Sequence, residues 1–322
     1  MSYNQQDFSR IRAEFSKKYL VAQERANRRR LELHAALPQV AELDRLLAGT
    51  GMEIMAIIAE GGETEARLAS VRRRNEELLA ERKRILRENG YPEDYSDIQY
   101  ECARCGDTGY VDTAMCDCMR RALVEAGYES SGLGALIQTQ SFENFSLSYY
   151  EQGGQPQRMQ MDLNRLRQFA ETFDRTTYRN YLLIGPTGLG KTHLSTAVAK
   201  RVIERGFDVA YVSAITLLRD FEAKQFDKGS GMRQDPMRYY EAELLIIDDL
   251  GTEVCNQFTL SSFYDLINER INRHRCTFIN TNLTFRELEG RYNERITSRL
   301  LGEYNPILFS GTDIRRQKIS KK

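Results

Sequence analysis

The chain has 322 residues, 41% hydrophobic and 29% charged, the balance of a globular protein with room for one large domain and one or two small ones. Lys plus Arg and Asp plus Glu number 46 each, so bulk charge argues for neither nucleic acid nor a membrane surface, and any such surface is a local patch. The amino terminus lacks the apolar core of a signal peptide, and the apolar stretch 54–59 is far too short to span a bilayer, so a cytoplasmic protein is expected.

From about residue 7 to residue 89 the chain reads as helix. Leu31, Leu37, Leu43, Leu46 and Leu47 recur at helical spacing, as do Val71, Leu78, Leu79, Ile85 and Leu86 after a break at Gly61-Gly62. Gly49, Gly51 and that pair are expected to mark turns, giving a helical hairpin or small bundle able to bind a partner. The runs Arg28-Arg29-Arg30 and Arg72-Arg73-Arg74 are read as solvated helix faces rather than nucleic-acid contacts. Asn89-Gly90-Tyr91-Pro92 ends the helical region, because proline cannot continue a helix and glycine caps one.

A cysteine cluster follows. Cys102-x₂-Cys105 and Cys116-x-Cys118 present four thiolates across one short loop, enough for a closed, structural zinc site, with Gly106 and Gly109 supplying the turns. The closing pair is narrower than C-x₂-C, which leaves free thiols or a labile site as the alternative. Cys255 and Cys276 read as buried small residues. A linker-like stretch with Ser130-Ser131-Gly132 and Gly153-Gly154 comes next. From Tyr181 onward short apolar runs (181–185, 209–213, 244–248, 277–281 and 307–310) alternate with helical patterns, which predicts an α/β layer on a mostly parallel sheet.

The first of those runs leads into Gly185-Pro186-Thr187-Gly188-Leu189-Gly190-Lys191-Thr192, a full match to the phosphate-binding loop G-x-x-x-x-G-K-[ST] between a strand and a helix. Its glycines let backbone N–H groups turn toward phosphate oxygens, and the following helix adds its positive end. Lys191 is expected on the β and γ phosphates of ATP, and the Thr192 hydroxyl on Mg²⁺. His193 is read as packing or a minor contact, and three histidines in all argue against a histidine-based active site. Leu244-Leu245-Ile246-Ile247-Asp248-Asp249 is a buried strand delivering carboxylates at its carboxyl end. Asp248 is expected to hold Mg²⁺ through water and Asp249 to orient or deprotonate the attacking water, with Glu253 as fallback base. Asn282, with Asn280 second, is placed to bond the γ-phosphate or its water. Arg295 and Arg299, four apart on one helix face, and Arg315 and Arg316 after the last strand are the guanidinium candidates for stabilising phosphoryl charge.

Together these residues resemble an AAA+ ATPase, and specifically the bacterial replicative helicase loaders of the DnaC/DnaI type, over roughly residues 141–318. The likeness rests on Ser141-Phe142-Glu143-Asn144-Phe145, the GPTGLGKTH loop, LLIIDDLGTE, INTNL, ERITSRLLG and GTDIRR. The cysteine segment is similar to the zinc knuckle that precedes the core in DnaI-like members. The resemblance implies an α/β P-loop AAA+ core with a parallel five-stranded sheet and no C-terminal helical lid, preceded by an α-helical domain and a small zinc knuckle. It implies that Asn282 is sensor 1, Arg299 an arginine finger acting on a neighbour's ATP through self-association, and Arg315 sensor 2. This sequence departs at the acid pair, which is Asp-Asp where Asp-Glu is common.

The expected organisation is a helical partner-binding domain (1–90), a four-cysteine zinc knuckle (91–127), a linker and lead-in (128–180) and the ATPase core (181–322). The implied function is ATP-dependent loading of the replicative DNA helicase onto single-stranded DNA. Lys228, Arg233, Arg238 and Tyr239 within residues 224–240 are candidates to track the strand. The alternatives are an IstB-like transposition helper ATPase, a small-molecule kinase, and a nucleotide-gated DNA-binding adaptor that hydrolyses little.

Overall fold

The computed structural model describes residues 3–60, 64–151, 155–225 and 235–320. The chain divides into two compact parts, Arg12–Cys118 on one hand and Met1–Ile11 with Met119–Lys322 on the other.

The first part is built on helices α1 (Gln5–Ala36), α2 (Pro38–Glu60) and α3 (Thr64–Glu88). Leu33, Val40, Ile85 and Leu86 form its buried cluster, far smaller than the cores of the second part. Gly49 and Gly51 were expected to mark turns, yet α2 runs through both. Each interior glycine costs a helix about 1 kcal/mol. Burial of Val40, Thr50 and Ile57 along α2 offsets that cost, and the chain turns instead at Leu37, where Pro38 opens α2 at the position that tolerates proline. The expected break at Gly61-Gly62 lies outside the described residues. The arginine runs face solvent or local partners: Arg28 pairs with Glu32 at 3.2 Å, and Arg29 donates to the carbonyls of Tyr95 and Asp97 at 2.7 and 2.8 Å. A two-stranded hairpin, β1 (Tyr110–Val111) and β2 (Ala114–Met115), separates the two thiolate pairs.

The second part opens with α4 (Asp117–Ser130), α5 (Leu136–Thr139), a 3-10 turn at Leu147–Tyr150 and α6 (Pro156–Thr172). Residues 128–180, read as linker and lead-in, are therefore largely structured, and α6 buries Met159, Leu163, Leu166, Phe169 and Ala170. Gly153-Gly154 lies outside the described residues. Then come β3 (Asn180–Ile184), α7 (Lys191–Glu204), β4 (Val209–Ser213), α8 (Ala214–Gln225), α9 (Met237–Glu241), β5 (Leu244–Leu250), α10 (Gln257–Asn272), β6 (Cys276–Thr281), α11 (Phe285–Arg291), α12 (Glu294–Glu303), β7 (Tyr304–Leu308) and α13 (Ile314–Ser320). The five strands pair in the order β4-β5-β6-β3-β7, every pair parallel.

Strand side chains alternate between two cores, one on each face. Tyr181, Leu183, Leu244, Ile246 and Phe278 join α6 and α7 on one face. Leu182, Ile184, Leu245, Ile247 and Ile279 join α8, α10 and α12 on the other. Burial on both faces is why these strands read as continuous apolar runs. It also leaves only their carboxyl ends for polar groups, and those ends carry the site. No described helix is long and apolar enough to cross a membrane.

Candidate functional site

The loop between β3 and α7 wraps where the sheet ends. Gly188 takes φ +77°, and a Cβ there would lie 2.0 Å from the Asp313 carboxylate, so only glycine fits between the loop and the segment before α13. Ile314 N–H donates to the Gly188 carbonyl at 3.0 Å, closing that contact. Tyr150 OH donates to the Leu189 carbonyl, and Phe145 stands over Gly190, so the lead-in segment braces the loop from another direction. His193, at the start of α7, bonds the Ser141 carbonyl at 2.8 Å and meets the Phe145 ring edge-on at 5.4 Å.

These elements enclose a cleft of about 440 Å³ whose lining includes Lys191, Thr192, Asp249, Asn282 and Arg315. Lys191 is buried, and its amine donates to the carbonyls of Gly185 and Pro186 at 2.6 and 2.8 Å and to Asn282 Oδ1 at 2.7 Å. Burial pushes its pKa down to about 8, against the pull of Asp249 and Asp248, and Arg315 pushes the same way as burial. Asp248 ends the buried run of β5. Its carboxylate accepts from Thr192 Oγ1 at 3.0 and 3.3 Å, Asn280 Nδ2 at 2.7 Å, the Asp249 N–H at 3.1 Å and the Tyr211 hydroxyl. Asn280 also donates to Ser195 Oγ at 2.8 Å, so this fully buried amide fixes Asp248 between β6 and α7. Asn282, the first choice from sequence, lines the cleft; Asn280, the second, holds the aspartate instead.

Asp249 adopts φ +55°, a left-handed conformation uncommon for a residue with a side chain, at a break in the β5–β6 register. The bulge turns the next carboxylate out of the buried strand into the cleft. Partial burial, then the charge of Asp248, pushes the Asp249 carboxyl above its ordinary pKa, while Lys191 and Arg315 pull it back. Glu253 has a different environment. It is buried, with Oε2 accepting the Gly251 N–H at 2.8 Å and Oε1 accepting the Tyr292 hydroxyl and lying 3.8 Å from Arg291 Nε. Both of its oxygens are engaged in holding the loop after β5.

The arginines separate. Arg315 lines the cleft and its charge acts on both Lys191 and Asp249. Arg295 and Arg299 lie on α12 and line no part of the cleft, the first exposed and the second half-buried. Of the strand-tracking candidates, Lys228 and Arg233 lie outside the described residues. Arg238 is committed elsewhere, forming two hydrogen bonds with the Asp208 carboxylate and one with the Val209 carbonyl at 2.9 Å. Tyr239 is buried and its hydroxyl donates to Asp220 at 2.5 Å. Tyr239 therefore offers no groove surface, while Arg238 lines a cavity with its guanidinium held by Asp208.

The four cysteine sulfurs of Cys102, Cys105, Cys116 and Cys118 all lie within 4.8 Å of one another. Cys102 and Cys116 are 3.9 Å apart and Cys105 and Cys118 3.5 Å, close to the roughly 3.8 Å between thiolates around a tetrahedral zinc. Asp107, buried and at φ +58°, accepts the N–H groups of Glu101 and Cys102 at 2.9 and 2.8 Å. Sequence reading missed it, as it missed Tyr211 and Tyr292; an aspartate two residues after a C-x₂-C was the available signal only for the first. Cys276 is buried and Cys255 half-buried, and neither belongs to this cluster.

The family described as IstB-like ATP binding protein matches residues 129–303. The chain is 24% identical to the replicative helicase loader DnaC of Escherichia coli (strain K12) over 218 residues, covering 67% of this chain and 86% of that protein. It is 28% identical over 143 residues to a Mycobacterium tuberculosis protein described as an ATP-binding protein in an insertion sequence, covering 42% and 56%. Among solved structures, the crystal structure of the DnaC helicase loader superposes with a TM-score of 0.42 at 21% identity, covering 52% of this chain and 98% of that one. With the family match spanning more than half of its residues, the chain belongs to the IstB-like ATP-binding proteins.

Proposed function

We propose that this protein hydrolyses ATP to load the replicative DNA helicase onto single-stranded DNA. The observation that carries the chemistry is the convergence of Lys191, Thr192, Asp249, Asn282 and Arg315 on one cleft, with Asp248 braced directly behind Thr192. In this reading the loop amides and Lys191 hold the phosphates, and Lys191 leaves its resting carbonyls to do so. Thr192 and Asp248 are oxygen ligands of the kind Mg²⁺ takes, the second through water, and the ion would neutralise the β and γ phosphates. Asp249 orients or deprotonates the attacking water, Asn282 holds that water or the γ-phosphate, and Arg315 meets the developing charge. The placement of Arg299 outside its own cleft suits a finger acting on a neighbour's ATP in a self-associated assembly. Zinc at Cys102, Cys105, Cys116 and Cys118 would be structural, since four thiolates close the tetrahedron.

The helicase partner is carried over from the similarity to loaders along two thirds of the chain. Helix α2 offers an exposed apolar face for a partner: Met52, Met55 and Ile58 are 77%, 71% and 59% exposed at three-residue spacing. Single-stranded DNA is the track, with Lys228 and Arg233 as the contacts to substitute first. A transposition helper is the second reading, supported by the family description and by the insertion-sequence relative.

Steady-state ATP turnover with Lys191→Ala as the blank tests the chemistry. Turnover in the native chain and none in the variant is expected; equal rates would sink the reading.

A further inference from the structure

We infer that Tyr211 is a positioning residue for the metal site, its hydroxyl holding the Asp248 oxygen that faces Thr192. This deepens the proposed ATP site and rests on the reading that Thr192 and Asp248 serve Mg²⁺. The two oxygens of Asp248 are held differently. Oδ1 accepts from Asn280 Nδ2 at 2.7 Å and from the Asp249 N–H at 3.1 Å, a buried amide and a backbone group that both belong to the sheet. Oδ2 is the oxygen nearer Thr192 Oγ1, at 3.0 against 3.3 Å, and its one other donor among the described residues is the Tyr211 hydroxyl.

The surroundings of Tyr211 fix that hydroxyl in place. Tyr211 lies on β4 two residues before Ser213, the register partner of Asp248, and so on the same side of the sheet as that partner. Its ring packs against the core on the α6 and α7 face. β4 is an edge strand, where backbone groups ordinarily lack a neighbour. Here the buried Ser131 supplies one, its carbonyl accepting the Tyr211 N–H at 2.7 Å. Gly132 follows so close to the Tyr211 carbonyl that a Cβ would collide with it. Tyr211 itself does not line the cleft, so it acts on the site through Asp248. A phenylalanine would fill the same core, and what the hydroxyl adds is the bond to Oδ2. Without that bond Oδ2 is steered by Thr192 alone, whose own oxygen is the one expected on Mg²⁺. Hydrogen-bonding partners behind a metal-ligating carboxylate are worth about 10–100-fold in metal affinity or activity.

The test is equilibrium binding of ATP to the full chain, once with excess Mg²⁺ and once with EDTA, for the native protein, Tyr211→Phe, Asp248→Asn and the double variant. The readout is the gain in ATP affinity that Mg²⁺ gives. Tyr211→Phe keeps the ring that packs in the core, and thermal unfolding checks that the fold is kept. It should cut the Mg²⁺ gain about tenfold, or abolish a smaller one, and raise the Mg²⁺ needed for half-maximal turnover by a similar factor. Its ATP affinity in EDTA should match that of the native chain. Added to Asp248→Asn, the same change should leave the gain where it is, because the hydroxyl works through that carboxylate. An unchanged gain in Tyr211→Phe would overturn the assignment while leaving the ATP site standing. A larger gain would overturn it too, marking the hydroxyl as a competitor of metal-bound water. So would an equal loss with Mg²⁺ and with EDTA, which marks a purely structural contact, or a further loss in the Asp248→Asn background. A native chain whose ATP affinity ignores Mg²⁺ would remove the metal reading and the role of Tyr211 with it, and one that binds no ATP would remove the nucleotide reading as well.

Discussion

The two regions that carry chemistry are held together in opposite ways. The nucleotide cleft stands on a five-stranded sheet buried on both faces, so Asp248 and Lys191 are set by packing before any ligand arrives. The cysteine segment has a two-residue hairpin, the bonds to Asp107, and no comparable core among the described residues. Its four sulfurs converge all the same, in an arrangement that can hold a metal ion. The contrast predicts a ligand-independent scaffold at the cleft and a ligand-dependent one at the knuckle.

The largest effect that sharpens this contrast is zinc removal. Structural zinc sites contribute on the order of 10 kcal/mol. Chelation, or the double change Cys102→Ser and Cys116→Ser, should release one zinc per chain and expose residues 100–118 to hydrogen exchange, with ATP affinity kept. Protein that contains no stoichiometric zinc as purified would break the comparison.

Next comes the division between the two acids after β5. Asp249→Asn should lower ATP turnover about 10²–10⁴-fold, the range for a lost general base, with nucleotide affinity retained. Glu253→Gln should act mainly on stability, because its carboxylate is occupied by Gly251, Tyr292 and Arg291. The reverse pattern would reassign the base.

Arg270 tests the scaffold. It is fully buried, donating to Thr277 Oγ1 at 2.9 Å and to the carbonyls of Tyr239, Ala242 and Cys276 at 2.8, 2.9 and 2.6 Å, and burial pushes its pKa down to about 9. Arg270→Ala leaves those acceptors unpaired around a cavity and should cost about 3–5 kcal/mol of stability, read by thermal or urea unfolding. A change under about 1 kcal/mol would show that the sheet does not need this clamp.

The smallest effect is on pH. The Lys191 amine has a pKa of about 8 without nucleotide, and a bound triphosphate favours its charged form. Above that pH binding must take up a proton, so ATP affinity should fall as pH rises, toward about tenfold per unit. Below it the lysine contributes no slope. Arginine in place of Lys191, always charged, should flatten this limb where it still binds.

Legibility followed how local each feature is. The phosphate loop, the β5 strand with Asp248, and the four cysteines are contiguous patterns, and all stood out in the sequence. The five strands were found to within a few residues because burial on both faces made them apolar runs. What escaped depended on distant partners or on backbone conformation. Nothing near Glu253 announces Tyr292, and nothing near Arg238 announces Asp208. Asn280 and Asn282 are two residues apart and so turn to the same side of the sheet, Asn280 inside β6 reaching Asp248 and Asn282, just past the strand end, reaching Lys191, a difference in depth that the sequence does not show. The left-handed Asp249 and the helix that continues through Gly49 and Gly51 are tertiary packing overriding local preference.

The most direct test of the central claim is native mass of the full chain mixed with the replicative helicase of its host, with and without ATP, alongside a Met52→Glu and Ile58→Glu double variant. A defined complex formed by the native chain and lost in the variant is predicted, with ATP turnover of the variant intact. Absence of any complex while turnover persists would contradict the loader and point the same ATPase at a transposase.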